Sequence, residues 1–197
     1  MLRFLLAILL AVTALSGCST LRTVDNEVQS FSSLSALPAQ AAFRFERLPS
    51  QQAAPQRVAE LEAMAEQALV KAGLRRDDGG AQYGVQIGVR MEREDRVDWP
   101  DAWWYGGFPG QRFSRLGPWS STWSSTWMHT TPWFQREVSL ILRDLRTGQV
   151  VYETHAAQEG SWSDSRRILP AMFAAALSGF PAAPTGVRKV NIELSPP

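Results

Sequence analysis

The chain has 197 residues, 45% of them hydrophobic and 20% charged, which suits one globular domain and leaves little room for two. Twenty Lys+Arg against nineteen Asp+Glu give a formal net charge of +1, so no global field draws nucleic acid or another polyanion. One cysteine and two histidines exclude an intrachain disulfide and an all-cysteine zinc site, and nothing in the spacing calls for a metal or cofactor.

Arg3 opens an apolar run from Phe4 to Leu15, the charged and hydrophobic parts of a secretory signal. As a helix at about 1.5 Å per residue this run reaches about 18 Å, short of a hydrocarbon core of about 30 Å. It ends Leu15-Ser16-Gly17-Cys18, which resembles the bacterial lipobox: a lipid is attached to the cysteine and the signal is cut in front of it. The expectation is a signal peptide over 1–17 and a mature chain that begins at a lipid-modified (palmitate-bearing) Cys18. One acyl chain binds only marginally, and two or three on one cysteine hold firmly. Ser19 follows where aspartate would resemble inner-membrane retention, so the expected location is the outer membrane, facing the periplasm. Cleavage removes Arg3 and leaves the mature side chains formally neutral.

Residues 18–40 read as a polar tether, with Thr23–Val28 a candidate edge strand, and a single α+β domain follows over 41–197. Ala42–Leu48 alternates apolar and charged residues as a half-buried strand does, with Phe43 and Phe45 inward. Pro55 suits a first helical turn. Val58, Leu61, Ala65, Ala68, Leu69 and Ala72 then recur at helical spacing until Gly73. Tyr83, Val85, Ile87, Val89 and Met91 alternate with polar or small residues in a strand, and the segments 137–145 and 150–157 form a hairpin around Arg146-Thr147-Gly148-Gln149. A second helix presents Ile168, Leu169, Met172, Phe173, Ala176 and Leu177, and Val187–Leu194 reads as a last strand. The predicted fold is a mostly antiparallel sheet with two helices packed on one face and a long Trp-rich insertion over 97–134.

Seven of the eight tryptophans fall between positions 99 and 133. Trp103, Trp104, Trp119, Trp123, Trp127 and Trp133 form the candidate contact surface. Indoles stack on sugars, sit at lipid boundaries or anchor protein contacts. The same rings could equally fold back onto an open sheet face. The partner classes that fit are an envelope protein, a second copy of this chain or peptidoglycan, besides the membrane reached through Cys18.

Catalytic residues are not indicated. His129 and His155 have no companions at ligand spacing, and each reads as solvated or hydrogen-bonded, His155 on a strand beside Glu153. Ser161, Ser163 and Asp164 could join His155 in a triad only on paper. The charge clusters Asp77-Asp78 and Glu92–Arg96 read as solvated. The reading is a lipid-anchored envelope protein with a structural or interaction role and not an enzyme. The alternatives are a periplasmic module for a small apolar ligand or glycan and, below it, an envelope hydrolase.

The lipobox, an early strand, the helix ending at Ala72-Gly73-Leu74, the strand 83–91, the aromatic insertion, Asp144-Leu145-Arg146-Thr147-Gly148-Gln149-Val150-Val151-Tyr152 and the close Gly179-Phe180-Pro181 resemble bacterial lipoproteins carrying domain of unknown function 4136. The resemblance spans roughly residues 22–181. It implies a location and a fold, with no reaction and no catalytic residues.

Overall fold

The computed structural model describes residues 22–97, 130–182 and 184–194. Strand β1 (Arg22–Ser32) is followed by β2 (Ala42–Phe45), the short helix α1 (Pro49–Gln52), α2 (Pro55–Lys71) and β3 (Arg75–Arg76). Then come the long arms β4 (Tyr83–Val97) and β5 (Thr130–Asp144), β6 (Val150–Gly160), α3 (Ser165–Ala176) and β7 (Arg188–Leu194). All seven strands lie in one sheet, in the order β3-β2-β4-β5-β6-β1-β7.

This sheet corrects two expectations. It is mixed: β2 runs parallel to both β3 and β4, whereas β4-β5, β5-β6, β6-β1 and β1-β7 are antiparallel. The reason is the connection, since α2 has 17 residues and so carries the chain about 25 Å back before β4 begins, which makes β2-α2-β4 a parallel crossover. Three helices are present among the described residues, α1 being the one that sequence periodicity did not announce.

Residues 22–32, read from sequence as tether or edge strand, are an interior strand between β6 and β7. Val24, Asn26, Val28 and Ser30 point to the core in strict alternation. Two of these four inward residues are polar, which hid the strand from a hydrophobic pattern.

The core lies between the helices and one sheet face. Val28, Phe43, Val85, Val138, Leu142 and Ala156 are fully buried there, facing Leu69 of α2 and Met172 and Phe173 of α3. The whole stripe foreseen on α3 is buried. On α2 the stripe also contains Glu62, which meets Arg47 through two hydrogen bonds of 2.6 Å from Nε and Nη2. Gly73 ends α2 at φ 97 and Gly148 turns the β5–β6 hairpin at φ 74, both left-handed conformations that favour glycine.

Candidate functional site

The opposite face of the sheet is covered by no described helix, and the register fixes what it presents. Arg90, Glu137, Ala157, Glu27 and Lys189 stand in one row across β4, β5, β6, β1 and β7. The neighbouring row towards the β1 N-terminus holds Glu92, Gln135, Glu159, Asp25 and Asn191. Ala157 is the small residue in a row of long ones, so the surface dips at β6. A cleft of about 240 Å³ lies on the β5 side, and one of about 590 Å³ lies on the β1 side. Ala157 and Glu159 line both. Their walls are charged or amide side chains, the wrong lining for an apolar ligand.

His155 stands one row away, between Gln29 and Ser139. Its Nε2 lies 3.0 Å from Glu153 Oε1, and Nδ1 lies 3.4 Å from Glu137 Oε1. The imidazole is thus held by two carboxylates on the solvent side, the hydrogen-bonded arrangement that its neighbour Glu153 suggested. Ser161 follows the end of β6, roughly 20 Å further along the strand direction. Asp164 sits at the start of α3, so these groups do not assemble with His155. Among the described residues no group of three His, Cys, Asp or Glu side chains is placed to hold a metal ion.

Under the helices, at the end of the sheet where β1 begins, lies a polar layer that sequence reading missed. Arg136 is 2% exposed. Its Nε donates to Ser165 Oγ at 3.1 Å, Nη1 to Gln158 Oε1 at 3.0 Å and Nη2 to the Trp162 carbonyl, while the guanidinium lies 4.8 Å from the Phe134 ring centre. Burial presses its pKa below the ordinary arginine value. Asn26, two strands away on β1, donates from Nδ2 to the carbonyls of Val24 and Val190, and its buried Oδ1 has no partner among the described residues. A signal for Arg136 did exist: it is in phase with Val138, Leu140 and Leu142, so strict alternation puts it on the core face.

The roots of the Trp-rich insertion lie at this same end. The β4–β5 pairing continues from Tyr83↔Asp144 to Val97↔Thr130 without interruption, so segment 98–129 leaves from the tip of a long hairpin. Carrying the register across the sheet places Arg22 and Leu194 level with Asp95 and Pro132, near that tip. The start of β1 and both roots of the insertion therefore share one end of the sheet. Trp133 is on β5, opposite Glu94, and its Nε1 donates to Glu159 Oε2 at 3.4 Å. Cys18, Trp103, Trp104, Trp119, Trp123 and Trp127 lie outside the described residues, as does His129. Among the described residues no helix is long and apolar enough to cross a membrane.

The family model described as Domain of unknown function (DUF4136) matches residues 26–182, more than half of the chain. The chain belongs to this family. The DUF4136 match runs from the middle of β1 to just past the close at Gly179-Phe180-Pro181, and so takes in both the core and the insertion. No curated protein matches the chain. Two dodecameric PelC structures from Paraburkholderia phytofirmans are similar at 16% and 17% identity, covering 78% and 77% of this chain and 95% and 96% of theirs, with TM-scores of 0.44 and 0.45. A PDZ domain protein from Parabacteroides distasonis is similar at 13% identity and a TM-score of 0.49, over 93% of this chain and 42% of that one. Identities and scores this low transfer neither assembly nor activity.

Proposed function

We propose that this DUF4136 chain is a lipid-anchored envelope protein with a structural or interaction role, held by Cys18 in the outer membrane and facing the periplasm. The observation that carries the reading is the shared end of the sheet. Cys18 precedes Arg22 by four residues, a reach of at most about 14 Å when fully extended. An anchor there keeps the start of β1 against the bilayer, and the roots of the Trp-rich insertion sit at that same end. The insertion is then the contact surface and works close to the membrane, while the polar face and its clefts point along the periplasmic side.

The test is fractionation of a Gram-negative host that expresses the full chain. The wild type should sediment with outer membranes, and Cys18→Ser should release it or leave it as uncleaved precursor. With the anchor intact, Trp123→Ala with Trp127→Ala should weaken cross-linking to envelope partners or peptidoglycan. Unchanged cross-linking would remove the insertion from the account and leave the anchor standing.

The charged clefts beside Ala157 favour one second reading, a module for a polar ligand such as a glycan, over a hydrophobic carrier. Glycan binding would be read as a chemical-shift change confined to Glu27, Glu137 and Glu159.

A further inference from the structure

Strand β7 ends the sheet, and no described strand pairs with its outer side. It has seven residues and no proline, and one row of it remains only partly buried: Arg188, Val190, Ile192 and Leu194. An edge of this kind is a template for another strand unless a charge or a bulge blocks it. Its solvent-side residues are Lys189, Asn191 and Glu193. Neither Lys189 nor Glu193 is drawn into an ion pair by another described residue.

We infer that two copies of this chain join edge to edge through β7, in an antiparallel pair centred on Asn191. A two-fold axis perpendicular to the sheet keeps both helical layers on one side, so only residues of the same face can stand opposite each other. Centring on Val190 sets Lys189 against Asn191, and Val187 against Glu193. Centring on Ile192 sets Asn191 against Glu193 and runs past the strand. Centring on Asn191 overlaps all seven residues. It sets Lys189 of each copy against Glu193 of the other and, on the helical side, Val190 against Ile192 and Arg188 against Leu194. The lysine that would repel a foreign strand thereby becomes an attraction for its own copy, which is specificity by charge as well as by shape. This inference uses only β7 and stands whether or not Cys18 is acylated.

The full-length chain in detergent, followed by sedimentation velocity over a range of concentrations, should show monomer and dimer. Lys189→Glu and Glu193→Lys should each weaken the dimer about tenfold, because two cross-strand attractions become repulsions. The double variant Lys189→Glu/Glu193→Lys should restore it, which separates charge pairing from damage to the fold. Asn191→Cys should give a disulfide-linked dimer on a non-reducing gel, since directly opposite Cβ atoms lie about 5 Å apart. Glu193→Cys should not, because those residues stand about 13 Å apart along the strands. A chain that stays monomeric and does not cross-link at Asn191→Cys overturns the inference, as does a double variant that remains as weak as the single ones.

Discussion

Arg136 and Gln158 face each other on neighbouring strands beneath the helices, joined by a 3.0 Å hydrogen bond from Nη1 to Oε1. A buried guanidinium without that acceptor keeps its desolvation cost and loses part of its compensation. Gln158→Ala should destabilise the fold by about 1–3 kcal/mol in urea titration. Gln135→Ala, on the solvent side of the neighbouring strand, should stay within about 0.5 kcal/mol of the wild type.

The β5–β6 turn offers a cleaner case. A Cβ on Gly148 would meet nothing within 4 Å, so its φ of 74 is the sole objection to a side chain. Gly148→Ala should cost about 1–2 kcal/mol, the left-handed penalty for an L-residue, with Gly148→Asn less affected. Urea midpoints of the three proteins check this.

Two turn carboxylates make stability depend on acid. Asp144 Oδ1 accepts the amides of Thr147 and Arg146, and these hold its pKa below the ordinary 3.8. Asp77 is held low in the same way by the Gly80 amide first, then by Arg75. A carboxylate with a depressed folded pKa stabilises fully above its unfolded value and loses that contribution as pH falls through the folded one. Asp144→Asn should therefore be less stable than the wild type near pH 7, and the gap should narrow as the pH drops below 3.8. Denaturation midpoints across that range provide the comparison.

Phenylalanines on the two faces should behave oppositely. Phe173 is fully buried on α3, and Phe31 is 56% exposed on the open face. Phe173→Ala should cost about 3–5 kcal/mol, and Phe31→Ala should cost far less, near the level of an ordinary surface change. Calorimetry of both variants measures the difference.

What sequence pattern revealed was the part of the fold in which apolar residues repeat. The α3 stripe and the inward face of β4 came from periodicity, and the turn at Gly148 came from glycine's access to positive φ. It failed where inward positions are polar. Asn26 and Ser30 made β1 look like a tether, and Arg136 on β5 and Glu62 on α2 are buried polar residues that no apolar repeat includes. Hairpin arms without a core were equally silent, since Glu92–Arg96 reads as a charge cluster and yet pairs residue by residue with 131–135. The parallel limb was overlooked although it was legible, since a strand at 42–48, a helix at 55–72 and a strand at 83–91 follow one another as in a parallel crossover. The tryptophans were conspicuous in sequence, but the nearness of the insertion's two roots, Val97 and Thr130, to the start of β1 needed the register of five strands.

The account rests on Cys18, and the most direct test is the intact mass of the mature full-length protein extracted from membranes. The predicted result is a chain that begins at Cys18 and carries two or three acyl chains, with the label from fed palmitate lost in Cys18→Ser. An unmodified Cys18, or a mature chain that begins elsewhere and stays in the soluble fraction, would contradict it.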